Sequence, residues 1–259
     1  MNQYKIIISI FLIGCILPIF IIILFAVSDK WIFPNIIPES FTLKHLRYVV
    51  DSNSIRIIGT SIILGIMTGI FSLFIGIPTA KALVHYDFKH KNLVMLFILL
   101  PLIVPPFTII SVAHTNIIKV GLDGTLLGVC LIHSFFSIPY VVRILIDYFS
   151  IAGSRYEESA KCLGANRFQT IKYITLPIIK QGLLVSFFLS FTISISQYIT
   201  TLIIGGGKVV TLSTLLIPYI QYGDYEIASV YSLIIIFVSM IGYLIAVNTQ
   251  KILDGIIWS

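Results

Sequence analysis

Glu158-Ser159-Ala160, then three residues, Gly164, nine more residues and Ile174-Thr175-Leu176-Pro177 form the most polar and most helix-coded stretch of a largely apolar chain. The stretch separates two long hydrophobic segments. Ser154 with Glu157, and Asn166 with Gln169, each have the N-cap to N3 spacing of a capping box, so two short helices are expected, one on either side of Gly164. On the first, Tyr156, Ala160 and Leu163 fall at i, i+4 and i+7 and make one apolar stripe; on the second, Phe168 and Ile171 share a side. Gly164 suits the reversal because helices often end on a left-handed residue, a conformation glycine enters without steric cost. Pro177 is expected to open the next helix, where its missing N–H is harmless.

The composition around this stretch is that of a membrane protein. Of 259 residues, 58% are hydrophobic and 11% charged, with a mean hydropathy of +1.03, which excludes an ordinary soluble domain. Six segments are long and apolar enough to span a bilayer, at 6–27, 57–84, 93–118, 125–149, 178–204 and 227–249. The first is too long for a signal-peptide core and no A-x-A site follows it, so it is expected to be retained. Cys15, Cys130 and Cys162 show no paired spacing, which argues against a disulfide framework or a zinc site.

Charge gives the orientation. Eleven basic residues, among them Lys5, Lys81, Lys89, Lys91, Arg155 and Arg167, fall at one face and six at the other, so the first face is expected to be cytoplasmic, with both termini and the 150–177 loop. Acidic residues divide five and six between the same faces, so topology accounts for the net charge of +6 without a nucleic-acid partner.

Within the spans, small and polar residues mark packing and a candidate path. Ser61, Gly65 and Gly69, then Ser72, Gly76 and Ala80, recur every fourth residue and let helix backbones approach closely, so the second segment is expected inside the bundle. Pro101, Pro105, Pro106 and Pro139 should bend their helices. His114, Asn116, His133, Ser194, Gln197 and Tyr198 gather toward the outer leaflet and are the candidates for a translocation lining, with helix bridging as the competing role of each. Between residues 28 and 55, Trp31, Phe33, Pro34, Pro38 and Phe41 suit interfacial anchoring. Gly205-Gly206-Gly207-Lys208 lacks phosphate-loop spacing and is expected to be a turn, followed by a short helix over 212–223.

The Glu158 to Pro177 pattern resembles, position by position, the E-A-A, three residues, G, nine residues, I-x-L-P loop of permease subunits of binding-protein-dependent ABC importers. Glu158, Ala160, Gly164, Ile174, Leu176 and Pro177 match, and Ser159 replaces the first alanine. The resemblance extends over nearly the whole chain and looks strongest toward the polyamine, thiamine and iron branch, with Gln197 to Thr214 most similar to a fused transporter of that branch. It implies an all-α, type I importer fold of one domain spanning 1–259, with a peripheral helix at 6–27, a core bundle over 57–249 and a cytoplasmic coupling loop at 150–177. It also implies two ATPase subunits, a second and different permease, an extracytoplasmic binding protein and a place in the bacterial cytoplasmic membrane. Tyr156, Glu157, Glu158, Ser159, Ala160, Leu163, Gly164 and Phe168 would then couple to the ATPase.

No catalytic residue, cofactor or metal ligand is expected in this chain, since it lacks a phosphate loop, an H-E-x-x-H pair and a G-x-S-x-G elbow. A transporter driven by an ion gradient is the alternative, yet no Asp, Glu, Lys or Arg lies near the centre of a span. An intramembrane enzyme would need a nucleophile facing a base, and no such constellation is recognisable.

Overall fold

The computed structural model describes the backbone of residues 2–31, 35–50 and 52–257, and their side chains except at 2, 3, 6, 52, 53, 154 and 245–257. Phe33 and Pro34, expected to anchor the first connection, therefore lie outside the described residues. Long helices dominate: α1 (Asn2–Val27), α3 (Ser52–His85), α6 (Leu126–Cys162), α8 (Leu176–Ser196) and α11 (Tyr225–Ile257). Shorter ones are α2 (Lys44–Val49), α4 (Lys91–Ile103), α5 (Pro106–Lys119), α7 (Arg167–Thr170), α9 (Ile199–Gly205) and α10 (Leu212–Tyr222).

The centre of the bundle is α3, α6 and α8, which pack on one another. All six small residues of the two α3 series are buried, as their spacing leads one to expect. A Cβ on Gly65 would lie 2.6 Å from the Phe191 ring, and one on Gly76 would lie 2.5 Å from Val141 Cγ1, so α8 and α6 approach α3 where it has no side chain. Toward one end the core is Ala80, Leu83, Val141, Val142, Leu145, Phe149 and Ile179; toward the other it is Leu64, Ile110, Ile117, Val129, Ile132, Phe136 and Ile204. The first is called the elbow end below, and the second the far end.

Helix α1 is peripheral. Its side chains are almost all exposed along its length, and only near its C-terminus, at Ala26, does it join a small cluster with Val49, Leu212, Val230 and Tyr231. Trp31 follows it and stacks on Phe25 at 4.4 Å while its backbone N–H donates to Glu226 at the start of α11 (2.8 Å). The tryptophan thus ties the chain to its own bundle.

Two expected spans have different boundaries. Among the described residues five single helices are long and apolar enough to cross a membrane, and six if the 93–118 segment, the pair α4 and α5 bent by 104°, makes one span. The cause is local: Val104 is extended (ψ 136°) because a proline follows it, and Pro105-Pro106 cannot donate back into the α4 ladder. The 178–204 segment is also divided. Helical structure begins at Arg167, runs through a wide π turn at Ile171–Thr175 into α8, and stops at Gln197 (ψ 102°) before α9. Pro177 therefore sits in the first turn of α8 inside a continuous helical run, where the sequence leads one to expect a new helix after a loop.

Candidate functional site

Two places concentrate the polar chemistry of the fold, the elbow that projects from the bundle and a buried junction near the far end. The elbow starts where α6 leaves helical geometry at Gly153 (φ 59°, ψ 161°), a conformation that disfavours any side chain. A first limb runs to Cys162, and the chain turns at Gly164 (φ 83°) with Ala165 N–H donating to Ala160 O (3.0 Å). The second limb opens with the expected capping box, Gln169 N–H to Asn166 Oδ1 (2.8 Å) and Asn166 N–H to Gln169 Oε1 (2.9 Å). The other expected capping box, Ser154 with Glu157, involves a Ser154 side chain that lies outside the described residues.

Glu157 points inward. Lys81 on α3 donates to both of its oxygens (2.7 and 3.0 Å), and Thr175 Oγ1, at the end of the π turn, donates to Oε1 (2.7 Å). Burial raises the Glu157 pKa, but the hydrogen bonds from Lys81 and Thr175 outweigh it and hold the carboxyl below its ordinary value. Lys81 remains 30% exposed, so screening limits the pair to about 1 kcal/mol of stability or less. Its larger consequence is geometric, since it joins α3, the first limb and the start of α8.

Outside this tie the elbow presents apolar groups to solvent. Leu163 is 89% and Phe168 73% exposed, with Tyr156, Glu158 and Ser159 also on the surface. Ala160, expected in the same stripe, is instead buried at 5%, because its single methyl is covered where the chain folds back while the longer neighbours reach past. Leu163, Gly164, Gln169, Thr170 and Tyr173 line a cleft of about 380 Å³ in the angle of the elbow.

The junction near the far end joins four helices through His133 of α6, which is fully buried. Its Nδ1 is 2.8 Å from Ser194 Oγ, which accepts from Thr68 (3.1 Å), and its Nε2 is 3.1 Å from Thr201 Oγ1, which donates to Gln197 O (2.8 Å). The pattern assigns the tautomer. Thr201 spends its proton on Gln197, so Nε2 must carry the hydrogen; Nδ1 then accepts from Ser194, whose oxygen is left for Thr68. His133 and Ser194 thus link α3, α6, α8 and α9 through hydrogen bonds within this chain.

The remaining path candidates are nearer the surface. Gln197 ends α8, and its freed carbonyl accepts from Thr201 and Ser213. Tyr198 borders a cavity of about 240 Å³ with Ser196, Ser213, Leu216 and Ser232. His114 on α5 contacts Asp123 (2.8 Å), and Asn116 donates to its own helix at Val112 O (3.1 Å). The structure thus brings His133, Ser194 and Gln197 together and leaves His114 and Asn116 apart from them. Sequence reasoning missed Gly153, Lys81, Thr175, Thr68 and Thr201. Gly153 directly before a capping serine was the one local signal; the others act through partners distant in sequence.

A bundle of membrane-length helices with one projecting, capped elbow is the architecture of an importer permease subunit. The chain belongs to the family described as binding-protein-dependent transport system inner membrane component, whose model matches residues 72–257. It is 27% identical over 213 residues to the molybdate/tungstate transport system permease protein of Methanocaldococcus jannaschii, covering 79% of this chain and 80% of that one. It is 28% identical over 200 residues to the sulfate transport system permease protein of Salmonella typhimurium, covering 71% and 72%. Among solved structures, a bacterial alginate ABC transporter in complex with an alginate pentasaccharide-bound periplasmic protein superposes with a TM-score of 0.71 at 17% identity, over 97% of this chain and 93% of that one, and shows the shared fold. These relatives correct the expected branch: their names refer to molybdate, tungstate and sulfate, with no polyamine, thiamine or iron among them.

Proposed function

We propose that this chain is the membrane-embedded half of a translocation path in an ATP-driven importer, and that ATPase subunits dock on its elbow. The observation that carries this is the exposure of Leu163, Phe168 and Tyr156 on a short double limb outside the bundle, its second half capped by Asn166 and Gln169. Apolar side chains at such a position suit a groove on a soluble partner, as helix-in-groove recognition requires. Glu158 lies on the rim of that surface, where an ion pair contributes only about 0 to 1 kcal/mol, so the apolar anchors dominate. One ATPase subunit would engage this elbow and a second that of another, different permease. ATP hydrolysis belongs to those subunits, and this chain moves between two arrangements of its rigid elements.

In this reading the elbow end is cytoplasmic, as the excess of basic residues there favours, and the membrane is the bacterial cytoplasmic membrane. An extracytoplasmic binding protein delivers substrate at the far end. There Gln197 and Tyr198, with Ser196 and Ser213, border the path, flanked by His114 and Asn116, while His133 and Ser194 support that surface from inside. The substrate is a small tetrahedral oxyanion, the class named for the two relatives that cover about three quarters of the chain.

The test is reconstitution of the complete transporter with Leu163→Asp or Phe168→Asp, measuring ATPase co-purification and uptake of labelled sulfate and molybdate. Docking on the elbow predicts loss of the ATPase from both variants; full retention in both overturns it. Uptake of neither oxyanion by the unaltered complex overturns the substrate class alone.

A further inference from the structure

The first limb of the elbow is not a rigid continuation of α6. At Gly153 the backbone leaves helical φ/ψ, and a Cβ placed there would meet nothing within 4 Å, so the break lies in open space. A push on the limb is therefore poorly transmitted along α6 itself. At the other side of the elbow the second limb reaches α8 through a π turn, whose wider winding shifts the register and brings Thr175, 4% exposed, against Glu157. Between the break at Gly153 and the π turn stands the contact of Lys81 with both oxygens of Glu157. Lys81 belongs to α3, which packs along both α6 and α8.

We propose that Lys81, Glu157 and Thr175 form a clamp that carries movement of the elbow into α3, making Lys81 and Glu157 positioning residues of the transport cycle. The proposal rests on the elbow being the ATPase docking site. The Lys81 ammonium shared by both carboxylate oxygens holds α3 to the first limb, and the Thr175 hydroxyl on Oε1 restrains the carboxylate from rotating away. Displacement of the first limb then shifts α3 and the start of α8 as one body, with Gly153 absorbing the difference in angle to α6.

The surroundings of the clamp predict an asymmetry. Lys81, Glu157, Lys161 and Arg167 all line one cleft of about 250 Å³, together with Tyr86 and Thr170. Among these, Glu157 is the sole acid on a cleft that also carries three cations. Removing Lys81 leaves the carboxylate in a cleft that still carries Lys161 and Arg167, whereas neutralising Glu157 leaves three cations lining it with no acid among them. Glu157→Gln should therefore uncouple more strongly than Lys81→Met.

The experiment uses the complete transporter in lipid nanodiscs or proteoliposomes, with uptake and ATP hydrolysis measured on the same preparation, matched for co-purified ATPase. Lys81→Met is expected to retain the ATPase and at least half of its hydrolysis while lowering substrate imported per ATP several-fold. Glu157→Gln should lower that ratio further, Thr175→Val less, and the charge exchange Lys81→Glu with Glu157→Lys should recover part of it. A merely structural contact would lower uptake and hydrolysis in proportion, leaving the ratio unchanged, and that result in Lys81→Met and Glu157→Gln overturns the clamp. Failure of the charge exchange to exceed either single variant also overturns it. Loss of the docking reading is distinguished because it appears as ATPase retained by Leu163→Asp, whatever the clamp variants do.

Discussion

The elbow and the far-end junction are both built from polar side chains on the same helices, yet they are held by opposite means. At the elbow one ion pair, partly in solvent, ties down a projecting limb that leaves helical geometry at Gly153. At the junction hydrogen bonds among fully buried side chains join α3, α6, α8 and α9 through His133. A hydrogen bond between membrane helices contributes on average only about 0.6 kcal/mol, whereas a buried group left without its partner costs about 1 to 3 kcal/mol. The junction is consequently intolerant of loss although each bond adds little. If the proposed coupling holds, losing a contact at the elbow leaves the bundle folded and the effect falls on transmission. Damage at the elbow should uncouple, and damage at the junction should destabilise.

The largest expected effect tests the first half of this contrast. Gly164 sits at φ 83°, where a side chain costs about 1 to 3 kcal/mol of backbone strain and would misalign both limbs. Gly164→Asp is expected to reduce ATPase co-purification by about ten-fold while the folded bundle loses no more stability than that strain of about 1 to 3 kcal/mol; retained co-purification with lowered stability would erase the distinction.

His133→Leu tests the other half. It removes the acceptor for the Ser194 proton and the donor to Thr201, and should lower unfolding stability by about 1 to 3 kcal/mol with the ATPase still bound. Unfolding in mixed micelles would measure it, and an uncoupled but fully stable variant would break the comparison. Gly76→Ala should destabilise by about 1 to 2 kcal/mol through overpacking against Val141, and a compensating Val141→Ala should restore most of that.

Acidification gives a smaller effect at the elbow alone. Because the folded-state pKa of Glu157 is depressed, its stabilisation is fully present above the ordinary carboxylate range and is lost as pH falls through the lowered folded value. Partial exposure keeps this to about 1 kcal/mol or less, and Glu157→Gln should abolish that component of the acid dependence of stability. The smallest change is expected for Asn116→Leu, whose amide bonds its own helix: stability should shift by less than about 0.5 kcal/mol.

What the sequence determined by itself is the local and the periodic. The Asn166 and Gln169 cap, the turn at Gly164, the four-residue spacing along α3 and the apolar length of most helices depend on neighbours within a few residues, and each is present as its local pattern dictates. The bend between α4 and α5 was half legible: the prolines announced a distortion, but an angle of 104° depends on what the two helices pack against. Tertiary structure decided the partners. Glu157 reaches Lys81 across 76 residues, and His133 reaches Thr201 across 68, so no window on the chain contains both ends of either contact. Tertiary structure also turned Ala160 inward while Leu163, on the same stripe, stayed out. Helical periodicity specifies which residues share a face, but the returning chain specifies which part of that face is covered.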